Sequence, residues 1–273
     1  VVLMADIIPP FVYRWLTMKK GRKRTYPITI VNFLATLLAF VVLIVGATVV
    51  SLAGFFLITC TFGSKKGKAL YHRFLSAVSG FIFRNVFFTR HTVECREKFE
   101  KQAIIVANHQ SFLDPPLICC LYTNPLHFLA RHTLWCNAFM RWFMPISQSI
   151  PINQERPDPA RILEVIRTVR SGERVVIFPE GSRTPDGEMH EAMPGIGLIL
   201  SKLPGVPVQP VRIEGAYESM PIHRNTVRRV PLTLSVGEPI VFTEAELKVR
   251  GREGQRAIGK KLMEAIAALP KEP

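Results

Sequence analysis

The apolar positions change character twice along the chain. From Val31 to Ile58 they are almost continuous, and no Asp, Glu, Lys or Arg stands between Arg24 and Lys65. From Leu70 the spacing turns helical, with Leu70, Phe74, Val78, Phe81 and Ile82 recurring among Lys66, Lys68, His72, Arg73 and Arg84. That is the pattern of an amphipathic helix, lying either at an interface or against a protein core. From residue 103 short apolar runs alternate with helical ones. The runs at 104–107, 127–130, 175–178, 206–213 and 232–236 predict strands, and those at 116–121, 134–143, 159–169, 195–202 and 253–268 predict helices. Such alternation predicts an α/β fold, a largely parallel central sheet flanked by helices. The chain thus divides into a basic N-terminal segment (1–26), a membrane-embedded helix or helical hairpin (27–64), an interfacial amphipathic helix (65–88) and an α/β domain (89–273).

Charge sharpens the reading of the first apolar stretch. Of a formal net charge of +14, residues 1–102 carry +11 and the remainder +3, so the basic excess flanks the uncharged run. Lys19, Lys20, Arg22, Lys23 and Arg24 precede it and Lys65, Lys66 and Lys68 follow it. A bilayer core of about 30 Å takes about 20 apolar residues as a helix, so this run is long for one upright span and short for two. Basic clusters at both ends favour the cytoplasmic side for both, which fits a hairpin or re-entrant pair turning near Gly46, with one tilted span as the alternative. The domain that follows is then expected on the cytoplasmic face of a membrane. A secretory leader would have a shorter apolar region. Nucleic acid is excluded as a partner because no aromatic-basic recognition motif accompanies the charge. The five cysteines show neither CxxC nor zinc spacing, so no metal site is expected.

Two polar constellations follow predicted strands. The first is Asn108-His109-Gln110-Ser111-Phe112-Leu113-Asp114-Pro115-Pro116, at the carboxyl end of the strand Ile104 to Ala107. Loops at that edge of a parallel sheet are where α/β proteins place their sites. Asp114 ahead of Pro115 reads as a helix N-cap. It also stands five residues after His109, close enough to orient the imidazole and raise its basicity, so that His109 could serve as a general base for a hydroxyl brought by the substrate. The bare pair is weak evidence, since seven His and four Asp would produce such a spacing in about one chain in ten by chance. The second constellation is Phe178-Pro179-Glu180-Gly181-Ser182-Arg183-Thr184, where Arg183 can take a phosphate bidentately and Gly181 and Ser182 can offer backbone N–H groups. Glu180 could bond a substrate hydroxyl or hold Arg183. The histidines 127, 132, 190 and 223 show no partner at a telling spacing, and Trp135, Phe139, Trp142, Phe143 and Met144 read as core more readily than as an acyl tunnel.

Taken in order, Asn108-His109-x-Ser111-x-x-Asp114, Phe178 to Arg183 and Val206-Pro207-Val208-Gln209-Pro210-Val211 resemble the glycerolipid acyltransferases typified by 1-acyl-glycerol-3-phosphate acyltransferase, over roughly residues 103–240. The resemblance implies acyl transfer from acyl-CoA or acyl-carrier protein to the hydroxyl of a lysophospholipid, with lysophosphatidate the leading acceptor. A zwitterionic lysophospholipid or a lyso-aminolipid is the alternative acceptor, and a non-catalytic membrane lipid-binding protein, read from the basic flanks and apolar segment alone, is the alternative function. It implies His109 and Asp114 as the catalytic pair, Asn108, Ser111, Glu180, Gly181, Ser182, Arg183 and Thr184 around the acceptor, and no metal or organic cofactor. The chain departs from the family pattern where Gln154 stands in place of a frequent Arg, with Arg156 nearby as a substitute contact. It departs again where Ala192-Met193 replaces an aromatic-Lys pair and where Arg131 replaces a frequent Lys.

Overall fold

In a computed structural model of the chain, the described residues are 65–85, 104–122, 124–154, 158–224, 226–228, 230–248 and 251–270, with isolated positions between 38 and 56. The expected membrane element at 27–64 lies almost wholly outside them, and so does Arg156. Among the described residues, no helix is long and apolar enough to cross a membrane.

The elements follow in the order α1 (Lys65–Asn85), β1 (Ile104–Ala107), α2 (Asp114–Leu121), β2 (Leu126–Arg131), α3 (Ala138–Ile146), β3 (Ile150–Ile152), α4 (Pro159–Arg170), β4 (Arg174–Ile177), α5 (Gly195–Leu200), β5 (Pro207–Glu214), α6 (Ala216–Ser219), β6 (Thr233–Val236), β7 (Ile240–Val241), α7 (Glu244–Leu247) and α8 (Gly251–Ala267). The sheet runs β3-β2-β4-β1-β5-β6, with β7 also paired to β5. β1 to β5 are mutually parallel, and only β6 and β7 run against β5.

Alternation within β1 explains why it sits in the middle. Ile105 and Ala107 face a cluster with Phe83 of α1 and Leu117 and Ile118 of α2. Ile104 and Val106 face Val165 and Val169 of α4, Ile199 of α5 and Leu262 of α8. Four consecutive residues without exposed surface mark a strand covered on both faces, which is why the run reads as unbroken apolar rather than alternating.

Helix α1 has one buried face and one exposed apolar strip. Tyr71, His72, Ser76, Ser79 and Phe83 are buried, while Leu70, Phe74 and Phe81 on the opposite side are exposed. Two sequence expectations need correction. The predicted helix at 134–143 is a 3-10 turn over His132–Cys136 followed by α3, because Asn137 breaks the run and its side-chain Oδ1 accepts the Met140 N–H, starting a new helix. Trp135, Phe143 and Met144, expected in the core, are half-buried and stand outside both core clusters of the described residues, while the side chains of Phe139 and Trp142 lie outside that description.

Two buried polar groups tie neighbouring elements together. Arg212 of β5 donates from Nη1 to the carbonyl oxygens of Ala267 (2.6 Å) and Leu269 (3.3 Å) and from Nε to Glu214 (2.9 Å), closing the carboxyl end of α8 with a cation. Arg212→Met should cost about 2–4 kcal/mol, because the carbonyls and Glu214 lose a charged donor; a thermal melt of the variant should fall by roughly 5–10 °C. The second group is His72, whose Nε2–H donates to the Tyr122 carbonyl at 3.2 Å. Burial lowers its pKa to about 4, helped by His127 and Arg174 and opposed by that hydrogen bond. The unfolded chain protonates this imidazole near pH 6.5 and the folded one only near 4. Stability is therefore intact above pH 6.5 and falls as pH drops through that window, by about 3 kcal/mol. His72→Gln keeps the donor without titrating, so melting temperatures of the two proteins should converge at pH 7.5 and diverge at pH 4.5, with wild type lower.

Candidate active site

Because β1 and β4 are neighbours, the two polar loops leave the same sheet edge side by side. The His109 amide donates to Glu180 Oε1 at 3.0 Å, and the Thr184 amide donates to the His109 carbonyl at 2.8 Å. Phe178 stacks on the His109 ring, with centroids 4.1 Å apart and planes 17° from parallel. The imidazole is thus clamped by the neighbouring strand's loop before any substrate arrives.

Asp114 is not the N-cap that its place before Pro115 predicts. It is already the first residue of α2, capped by Leu113 without a side-chain bond. Its Oδ2 is taken by three donors from the preceding turn, His109 Nδ1 (2.7 Å), the Gln110 amide (2.6 Å) and the Ser111 amide (2.8 Å). Three converging donors on one carboxylate oxygen outcompete a cap bond to the helix. An acceptor-only carboxylate at Nδ1 requires the proton there, which leaves Nε2 with its lone pair. The Asp114 side chain is fully buried, while 18% of the His109 side-chain surface remains accessible. The pair has the form of an oriented general base.

Asn108 and Ser111 are turned into the framework. Asn108 donates from Nδ2 to the Ile213 carbonyl (2.8 Å) and accepts the Ile213 amide (2.7 Å), locking the loop to β5. Ser111 Oγ donates to the Met220 carbonyl at 2.8 Å and accepts the Leu113 amide. With its proton committed and its surface buried, Ser111 is not placed as a nucleophile.

In the second loop, Glu180 is buried and its two oxygens accept backbone N–H groups, from His109 and, at 3.4 Å, from His190. Burial raises its pKa, against those two bonds and the nearby imidazoles. Gly181 has φ 75°, and a Cβ there would stand 2.9 Å from Met193 Cγ and 3.0 Å from Gln154 Nε2. Gln154 donates to the Gly181 carbonyl and accepts from Arg131 Nε at 3.2 Å. The position that departs from the family pattern is therefore a neutral clip between Arg131 and the turn. Ser182 is exposed at the tip. Thr184 is buried, and its hydroxyl donates to Asp186 and accepts from Gly187. Arg183 lies over the ring of Phe112, its Cζ 3.7 Å from the centroid, rather than against Glu180.

Sequence reading missed several partners. His127 bonds Glu173, and His190 bonds Asp186 at 2.9 Å. The latter lies at a four-residue spacing that was visible in the chain. Phe112, an aromatic amid polar residues of the base loop, is equally visible in the chain.

The family model described as Acyltransferase matches residues 90–214. Among curated relatives, the 1-acyl-sn-glycerol-3-phosphate acyltransferase BAT2, chloroplastic, of Brassica napus is 28% identical over 149 residues, which cover 53% of this chain and 42% of that protein. The 1-acyl-sn-glycerol-3-phosphate acyltransferase of Streptococcus pneumoniae is 23% identical over 176 residues, 63% of this chain and 62% of that protein. The chain thus spans less than two thirds of the length of either relative. Among solved structures, the 1-acyl-sn-glycerophosphate acyltransferase PlsC of Thermotoga maritima superposes with a TM-score of 0.69 at 25% identity, covering 89% of this chain and 99% of that one.

Proposed function

This chain belongs to the glycerolipid acyltransferase family, and from that premise we propose that it moves a fatty acyl chain from acyl-CoA or acyl-carrier protein to the free hydroxyl of a lysophospholipid, lysophosphatidate first among acceptors. The observation that carries this reading is the 2.7 Å contact from His109 Nδ1 to buried Asp114 Oδ2, which leaves Nε2 to act. Nε2 takes the proton of the acceptor hydroxyl as its oxygen bonds to the thioester carbonyl carbon. The C–S bond then breaks, and the departing thiolate takes the proton back from the imidazolium. The thioester supplies the driving force, so no metal or organic cofactor enters. Holding both reactants beside the base adds proximity to proton transfer.

Arg183, with Gly181 and Ser182 beside it, is the proposed seat of the acceptor's phosphate, and Arg131 and Arg156 are further cations for it. The half-buried Trp135, Phe143 and Met144 are offered as an apolar wall for the acyl chain. The exposed Leu70, Phe74 and Phe81 of α1, next to the uncharged run, support a seat on a bilayer with the catalytic domain facing the cytoplasm. The neutral Gln154 clip favours a second acceptor class, a zwitterionic lysophospholipid or lyso-aminolipid, because it removes one cation beside the turn. A panel of lysolipids assayed with both donors separates these readings. Reaction of phosphate-monoester acceptors supports lysophosphatidate, reaction confined to other head groups moves the assignment to them, and lysolipid binding without thiol release makes the protein a lipid carrier.

A further inference from the structure

The stack of Arg183 on Phe112 assigns a task to a residue that takes no part in proton transfer. Phe112 sits in the turn between His109 and Asp114, yet it is 53% exposed, an unusual position for a large aromatic with only packing to offer. Above it, Arg183 Cζ stands 3.7 Å from the ring centroid. At that separation the guanidinium lies face to face with the ring, because an N–H bond aimed at the ring would push the central carbon farther away. Its five N–H bonds then point outward in the guanidinium plane, the arrangement that meets a planar or tetrahedral oxyanion edge on.

Among the described residues, no hydrogen bond or ion pair holds that guanidinium. Its other attraction is Coulombic, toward the buried Asp114, whose Oδ1 has no hydrogen-bond partner. The cation is therefore steered by a ring face and a nearby buried charge, and none of its donors is spent on a described residue. Ring and carboxylate belong to the same turn as the base, so the plane of Arg183 is referenced to His109 across the gap between the two loops.

We propose that Phe112 is a positioning residue for the acceptor: it fixes the plane of Arg183 so that an anionic phosphate headgroup is gripped at a set distance from His109. This deepens the acyl-transfer reading and rests on it for the identity of the acceptor.

The test uses the full chain in detergent, with two readouts. One is calorimetric binding of sn-glycerol 3-phosphate, and the other is steady-state acylation of lysophosphatidate. Phe112→Leu keeps an apolar side chain but removes the π face. It should weaken glycerol 3-phosphate binding and raise KM roughly five- to tenfold, with kcat within about twofold of wild type. Phe112→Tyr restores both values, and in an Arg183→Lys background Phe112→Leu should add little, since the pair acts as a unit. Unchanged binding in Phe112→Leu, a loss in kcat at constant KM, or failure of Tyr to rescue would each overturn the assignment. If Phe112→Leu weakens binding but wild type transfers no acyl group, the enzymatic reading fails alone. If wild type acylates lysophosphatidate and Phe112→Leu matches it, this inference fails alone. If wild type neither binds nor acylates, both fall.

Discussion

Replacing His109 by Ala should leave a folded protein whose acyl-transfer rate is down by roughly 10² to 10⁴-fold, the usual contribution of a positioned base. The ring is held from three directions, by Asp114 at Nδ1, by the stacked Phe178 and by the backbone bonds to Glu180 and Thr184. Only the first two are lost with the side chain. The stack contributes about 1 kcal/mol, so a melt should move little while turnover collapses. Asp114→Asn tests the other half of the pair. Its carbonyl oxygen can still accept at the Oδ2 position, but the amide NH₂ then occupies the buried site of Oδ1, which has no partner. The negative charge that would stabilise the imidazolium is gone as well. A fall of about 10³ to 10⁴-fold is expected, as when an oriented catalytic histidine loses its carboxylate. Near-normal turnover in either variant would remove the base mechanism.

Glu180→Gln is expected to be the next most damaging change, although Glu180 is not assigned to proton transfer. Its two oxygens accept from two backbone donors, one of them the amide of His109 itself. A glutamine has one acceptor and one donor end. Whichever way it turns, an NH₂ faces a backbone N–H in a buried site. If it keeps the 3.0 Å bond to His109, the longer bond to His190 is lost and the loop carrying Arg183 loosens. If it flips, the base moves. Losing one buried charge-assisted bond costs about 1.5–3 kcal/mol, so kcat/KM should fall by roughly ten- to a hundredfold. Measuring kcat/KM for lysophosphatidate in wild type and variant checks this, and a change below threefold would mean that the link between loops is dispensable.

The fold was legible where burial leaves a simple signature. Ile104 to Ala107 is buried on both faces and reads as a strand without ambiguity. β3 has three residues and β7 two, too few for any periodicity to develop, and neither was anticipated. The break at Asn137 could have been read from its capping chemistry but was masked by apolar residues on both sides. In the site, spacing suggested the partnership of His109 and Asp114. It could not reveal that two backbone amides crowd onto the same oxygen and draw Asp114 away from a capping role. Nor can side-chain identity encode that Glu180 serves a backbone N–H 71 residues earlier, since that bond exists only because β4 lies beside β1. Phe112 and Arg183 meet for the same reason, through strand order rather than sequence proximity.

Direct transfer from thioester to lipid hydroxyl is most sharply tested by following free thiol, acylated lipid and intact protein mass in one time course with acyl-CoA and lysophosphatidate. Base catalysis by His109 with Ser111 bound to the Met220 carbonyl predicts one thiol per phosphatidate formed, with no acyl adduct on the protein at any time. Thiol released with free fatty acid in place of phosphatidate, or an acyl mass appearing on the chain, would contradict it.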